Sequence, residues 1–200
     1  MSKLRGKEYT NYDPQKIIYT NFNCKNPNVK KKQYYKDDQT AIENDRLSYI
    51  NVNYFTKYIV VKTPPMKIPF KINNTTGSFI MNLQFTNHKD DESMNGFYNW
   101  IRQIEQTQIN HIGLTQETID QYSTQIRRDK QKKYDPNLLV KIPFRYNKFE
   151  CEAYNQEGDH INLLTINPFS KVECDIYIDK IWKFNDQFIC KWKCQTIQLL

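Results

Sequence analysis

The last thirty residues, KVECDIYIDKIWKFNDQFICKWKCQTIQLL (171–200), constrain the fold most. Val172, Cys174, Ile176 and Ile178 alternate with Glu173, Asp175, Tyr177 and Asp179, and a period of two is the mark of a half-buried strand. Asn185-Asp186-Gln187 interrupts the pattern with turn residues, which between two apolar-aromatic runs predict a hairpin. In the return run from Phe188 to Ile197, Phe188, Cys190, Trp192 and Cys194 fall on one face. Lys191 and Lys193 fall on the other, because successive strand side chains point to opposite sides. One strand thus offers a core face and a cationic face. A chain with this ending is expected to build a barrel that the hairpin closes.

The rest of the chain supplies strands for such a barrel. Segments 49–55, 58–63, 66–72 and 78–85 are rich in β-branched and aromatic residues. Further strand pattern follows at 138–144 and 149–154. The tetrapeptide Lys-Ile-Pro-Phe occurs twice, at 67–70 and 141–144. It reads either as coincidence in a chain rich in Lys and Ile or as two equivalent strand ends, where proline is tolerated at a sheet edge. Between 90 and 133 the period changes. Asp90, Asp91 and Glu92 open a helix with acids, and Met94, Phe97, Ile101, Ile104 and Gln108 recur at helical spacing with Trp100 beside them. Gly113 stops that helix. Thr115 caps a second, with Ile119, Tyr122 and Ile126 as its stripe and Arg127, Arg128 and Lys130 in its final turn. The fold class expected is therefore α+β, mainly β: an antiparallel barrel over 46–200 with a two-helix insertion at 90–133. Residues 1–45 form a basic, polar N-terminal arm with one short strand near 17–22; Lys30-Lys31-Lys32 reads as a solvated loop in it.

Composition narrows the class of function. Only 38% of residues are hydrophobic, so 14 Tyr and 11 Phe must supply much of the core and a good deal of surface. A net charge of +7 suits a polyanionic partner without demanding one. No run approaches the roughly 18 apolar residues of a membrane span, and no apolar leader opens the chain, so neither membrane nor secretion is expected. Five irregularly spaced cysteines point to reduced thiols inside a cell.

No catalytic constellation is present. His88, His111 and His160 sit in separate segments and read as exposed histidines. Cys190 and Cys194 share a strand face with Trp192, which is core spacing and not a zinc-knuckle spacing, so no metal and no cofactor is expected. The alternating acids Glu150, Glu152, Glu173 and Asp175 read as solvated strand faces, because catalytic carboxylates need positioned partners. What remains is interleaved aromatic and basic residues on strands: Phe70/Lys71, Phe144/Arg145/Tyr146, Lys148/Phe149, Trp182/Lys183/Phe184 and Lys191/Trp192/Lys193. Aromatics stack on unpaired bases while flanking cations track the backbone. Trp192 is expected in the core, and Trp182 and Phe184, near the hairpin turn, at the surface.

The order of these pieces resembles a known family. A strand is followed by T-P-x-M-K-x-P-F (Thr63 to Phe70), a strand, a helical insertion, Lys141 and Pro143, and a strand with Phe149. The ending carries Ile181, Trp182, Asn185, Phe188, Trp192, Lys193 and Gln195. From about Tyr49 to the C-terminus, the chain resembles proteins of nucleocytoplasmic large DNA viruses related to the phage-type single-stranded-DNA-binding proteins. The resemblance implies an OB-like barrel that coats single-stranded DNA during viral replication or recombination, across a sheet face and its loops. It implies no enzyme activity, and a place in the host cytoplasm, in the viral factory, or in the virion. Two departures stand out. Ile189 replaces a glycine common in the family, and the chain ends Gln195 to Leu200 without the acidic tail by which the phage proteins dock replication partners. Tail-mediated docking is therefore not expected.

The partner expected is single-stranded DNA. Docking of replication proteins or virion components and a homodimer stay open. The competing reading makes the same barrel an interaction module of a structural virion or capsid-associated protein; a third makes it an RNA-binding or transcription accessory factor. On the first reading DNA crosses the terminal hairpin, stacking on Trp182 or Phe184 and held by Lys183, Lys191 and Lys193, with Lys141, Arg145 and Lys148 extending the track. The opposing reading packs Trp182 under the helical insertion and leaves the lysines to solubilise the sheet.

Overall fold

In the computed structural model, which describes residues 5–24, 48–75 and 78–200, the alternating strand Lys171–Ile178 pairs antiparallel with Trp192–Leu199. Lys171–Ile178 also pairs with the short strand Met66–Lys67, which pairs with Ser78–Gln84. Ser78–Gln84 runs antiparallel to Asn137–Ile142, and Asn137–Ile142 runs parallel to Trp192–Leu199. These five strands close a ring. Alternation fills it: Met81, Leu83, Leu138, Val140, Val172, Cys174, Ile176 and Ile178 are all buried. Trp192 and Cys194 point inward, and the ladder then slips at Gln195, since Asp175 faces Thr196 while Ile176 faces Cys194. That bulge shifts the parity, so Ile197 is the next core residue.

The helix Glu92–Ile112 connects two ring strands and packs against the barrel. The Asp91 carboxylate accepts the Met94 N–H at its start, and Gly113 ends it in a left-handed conformation with φ 81°. Its buried stripe includes Met94, Phe97, Ile101, Ile104 and Gln108, as the spacing predicts. Trp100 lies 5.9 Å from Trp192 in the barrel, ring centre to ring centre, and donates its indole N–H to Tyr12 O. The N-terminal segment thus straps the helix, with Tyr9 against Phe97 and Trp100 and the Tyr19 and Thr107 hydroxyls hydrogen-bonded. The triple-lysine loop lies outside the described residues.

The second helix of the expected insertion does not form. Residues Ile119–Gln121 make one 3-10 turn, followed by the short strands Tyr122–Ser123 and Ile126–Arg127. Residues four apart share a face in an extended chain as well as in a helix, so Tyr122 and Ile126 satisfy either period. Tertiary contacts decide: Glu105 accepts the Gln125 N–H and the Thr124 hydroxyl, and the Tyr122 hydroxyl donates to Gln108.

The terminal hairpin is also more elaborate than its pattern. The turn at Asn185 is real, but it joins Lys180–Phe184 to Gln187–Ile189, not the two ring strands. This inner hairpin is an excursion between Lys171–Ile178 and Trp192–Leu199. It belongs to a second sheet, where Lys180–Phe184 lies beside Ser48–Tyr54 and Gln187–Ile189 beside Tyr122–Ser123.

Candidate nucleic-acid interface

The parity that sends Val140, Ile142 and Trp192 into the core turns Lys141, Lys191 and Lys193 outward. Parallel register sets Lys141 directly opposite Lys193, and antiparallel register sets Tyr177 opposite Lys193 from the other side. Lys193 Nζ is 5.5 Å from the Tyr177 ring centre and 2.7 Å from Asp179 Oδ1. The Lys141 amine is held below the usual lysine range, first by partial burial and then by the charges of Lys191, Lys193 and Arg145. Like charges have been gathered here, not dispersed.

Two walls rise from this basic floor. One is the inner hairpin, where Trp182 and Phe184 share a face. Trp182 is opposite Tyr49 with ring centres 5.2 Å apart, and Lys180 Nζ is 4.2 Å from the Tyr49 ring centre and 5.5 Å from that of Trp182. The other wall is Pro143-Phe144-Arg145, where Phe144 packs on Phe79 and Phe149 at 5.1 and 4.8 Å. Between them lies a groove of about 360 Å³ lined by five cationic side chains, Lys141, Arg145, Lys180, Lys191 and Lys193, and one carboxylate, Glu150. Arg145 Nε is 3.7 Å from that Glu150 carboxylate.

The groove continues. A second compartment of about 670 Å³ shares Lys141, Ile189 and Lys191 with the first and adds Phe70, Arg127 and Arg128, with no carboxylate in its lining. The repeated tetrapeptide explains part of this continuity. Ile68 and Ile142 are both fully buried; the strand Met66–Lys67 ends just before Ile68 and the strand Asn137–Ile142 ends at Ile142, directly before Pro143. Phe70 and Phe144 are both exposed and face the two compartments. The two copies are thus alike in burial and in the way their phenylalanines face the groove, while their strands end at different positions. Elsewhere on the barrel the charge reverses, and a cavity beside Glu152, Glu173 and Asp175 carries only Arg5 and Lys62 as cations.

Of the eight candidate residues, Lys141, Arg145, Trp182, Phe184, Lys191 and Lys193 line the first compartment. Lys183 does not: alternation puts it on the opposite side of the hairpin from Trp182 and Phe184, with its Nζ 5.5 Å from the Phe188 ring centre. Lys148 stands exposed on a short hairpin, opposite Arg145 and outside the groove lining. Trp182 is half-buried against Tyr49 and Phe184 is exposed. Lys180 and Tyr177 line the groove without standing among those eight, and Tyr49 backs Trp182; strand pairing sets Tyr49 opposite Trp182 and Tyr177 opposite Lys193. Phe70, singled out with Lys71 by the aromatic-basic pattern but not among the eight, lines the second compartment, and Arg127 and Arg128 are additions because the expected second helix claims them for its final turn.

The other titratable clusters are structural. His111 is exposed and stacks on Tyr19, and His160 is exposed against Tyr154. His88 is mostly covered, packed on Tyr98, contrary to the expectation of an exposed ring. Cys151, Cys174, Cys190 and Cys194 are buried free thiols. Burial raises the Cys190 thiol despite the Gln108 side-chain N–H it accepts at 3.4 Å. Among the described residues no group of His, Cys, Asp and Glu is arranged to hold a metal ion.

No protein-family model and no curated protein matches the chain by sequence. Solved structures do match by shape. The single-stranded-DNA-binding protein of bacteriophage T7, gp2.5, aligns over 71% of this chain and 86% of its own with 12% identity and a TM-score of 0.49. The single-stranded-DNA-binding protein from bacteriophage Enc34 aligns over 74% of this chain and 83% of its own, with 11% identity and a TM-score of 0.51. The likeness to the Enc34 protein shows a shared fold: a closed, OB-like, five-strand barrel with one helix packed against it.

Proposed function

We propose that this chain is a non-enzymatic single-stranded-DNA-binding protein. The observation that carries the reading is the groove. Five cationic side chains line a floor walled by Trp182, Phe184 and Phe144, and the channel runs on to Phe70, Arg127 and Arg128. A track of cations supplies backbone neutralisation, and exposed aromatics supply stacking that every base can satisfy. A duplex presents no free base faces to such walls. The shared fold with a protein named for binding single-stranded DNA supports the same reading. The motif order from Thr63 to Gln195 further supports a place among the related proteins of large DNA viruses, coating DNA in replication or recombination.

The test is a fluorescence titration of labelled oligo-dT against duplex DNA and oligo-U at several salt concentrations. The single DNA strand should be preferred, and log affinity should fall with log salt at about −0.7 for each phosphate neutralised. Salt-insensitive, weak binding to all three probes would replace this reading with that of a virion-associated interaction module. Preference for oligo-U would replace it with an RNA-binding one.

A further inference from the structure

The hairpin Phe144–Phe149 breaks three local rules within six residues. Its turn residues Tyr146 and Asn147 both have positive φ, 49° and 59°, the conformation of a two-residue turn that favours Asn, Asp or Gly at both positions. Asn147 conforms, but tyrosine is a poor occupant of left-handed backbone. The strand residues flanking the turn, Arg145 and Lys148, are paired directly opposite each other, and like charges so placed repel. Finally, the Tyr146 side chain is 95% exposed, the most exposed large hydrophobic among the described residues. The hairpin is not a loose loop. Its base is fixed by the Phe79–Phe144–Phe149 cluster, with Phe79 and Phe149 edge to face at 4.8 Å, and by the Glu150 N–H to Pro143 O bond of 2.9 Å.

Local rules broken together, on a rigid base beside a groove, mark a site where function outweighs stability. The position says which function. Phe144 and Arg145 form one wall of the cationic groove, and the tip, Tyr146-Asn147, follows directly on that wall. The Glu150 carboxylate, 3.7 Å from Arg145 Nε, offsets part of the Arg145–Lys148 repulsion, and a polyanion in the groove offsets the rest. A flat partner covers a ring that otherwise stands in water. One ligand offers a phosphate and a flat π-face within a nucleotide's length: an unpaired nucleic-acid strand.

Resting on the function proposed above, we propose that this hairpin is a clasp, with Tyr146 stacking on a base of the strand held in the groove and Arg145 and Lys148 gripping the phosphates on either side of it. Tyr146 and Lys148 lie outside the groove lining that Arg145 joins, so the tip engages a strand already seated and slows its release.

Anisotropy titrations with labelled oligo-dT on the full chain test this, alongside thermal denaturation of the same proteins. Tyr146→Asn installs a residue suited to the turn, so its melting temperature should equal or exceed the parent's, whereas its affinity should fall about tenfold or more. Its salt slope should match the parent's, since no charge is lost. Tyr146→Phe keeps the ring and should bind within about twofold of the parent. The double variant Arg145→Ala/Lys148→Ala should instead flatten the slope. A Tyr146→Asn protein that binds as the parent does overturns the clasp while leaving the function standing. So does a loss shared equally by Tyr146→Phe, or one accompanied by a lower melting temperature. A parent that leaves oligo-dT unbound overturns the function and the clasp with it.

Discussion

Lys191→Ala combined with Lys193→Ala is the sharpest test of where the strand lies. Both lysines line the floor of the groove and neither contributes to the core: the residues between and beside them, Cys190, Trp192 and Cys194, do that. The Lys193–Asp179 pair is only 20% and 30% exposed, so its loss costs the fold more than the roughly 1 kcal/mol of a surface pair, and the fold of the double variant is checked before its binding is read. Its effect on binding follows from charge. With two fewer phosphates neutralised, the slope of log affinity against log salt should flatten by about 1.4. Over a fourfold rise in salt, from about 50 to 200 mM, the affinity gap between parent and variant should then close by about sevenfold. The gap at low salt should exceed that of two simple deletions, because removing Lys193 also removes the cation 2.7 Å from the Asp179 carboxylate and leaves that negative charge near the groove floor. The assay is oligo-dT anisotropy at four or more salt concentrations, with circular dichroism to confirm the fold. A folded double variant with the parent's slope would refute the reasoning and move the track off this hairpin.

Three further outcomes are expected. Asp179→Asn frees Lys193 from its carboxylate, so oligo-dT affinity should rise and the salt dependence steepen; weaker binding would mean that Asp179 is needed to aim the amine. Phe70→Ala with Arg127→Ala alters only the second compartment, so binding of a long oligo-dT should weaken while that of one short enough for the first compartment stays unchanged; equal losses on both lengths would show that the compartments do not act in series. Glu105 gives a pH signature. Burial holds its carboxyl above the usual glutamate range, with the Gln125 N–H and the Thr124 hydroxyl opposing. The folded chain therefore keeps this proton at pH values where the unfolded chain has lost it. The stabilisation is full below the unfolded pKa and is lost as pH rises through the folded one. In urea titrations the stability of the parent minus that of Glu105→Gln should fall across that window, and a flat difference would contradict the buried carboxyl.

Much of the barrel is legible in the sequence because strand parity survives tertiary context. Val172 to Ile178 and Phe188 to Cys194 alternate, and both runs face the core as written. Parity alone also places Lys141, Lys191 and Lys193 on the outer face. Applied to the inner hairpin, the same rule excludes Lys183 from the groove: it neighbours Trp182 in sequence and for that reason lies on the other side. The segment 115–128 misleads for a different cause. A four-residue spacing suits helix and strand alike, and the hydrogen bonds from Thr124 and Gln125 to Glu105, about twenty residues away, resolve it. The return strand of the inner hairpin is hidden because Phe188 and Cys190 continue the alternation of Trp192 and Cys194, although the core parity shifts between Ile178 and Ile181. Only a long-range contact, Val52 N–H to Asp179 O, shows where the chain leaves the ring.

On the function proposed above, the charge pattern on one strand pair gives the direction the track would take. Lys171–Ile178 and Trp192–Leu199 present a single outward face, and its two ends have opposite character. Near one end Glu173 and Asp175 join Glu152 around a cavity, and near the other Tyr177 and Lys193 meet Lys141. A polyanion lying along the pair would have to pass over those acids, at a Coulomb cost that partial burial makes larger than in water. Crossing the pair at its basic end avoids them. A strand entering between Trp182 and Phe144 is carried over Lys193, Lys141 and Lys191 toward Phe70, Arg127 and Arg128. The net charge of +7 alone could not give such a path, since an even spread of cations would hold a polyanion in many orientations. The acids at one end, the lysines at the other and the aromatic walls across the basic end reduce these to one course.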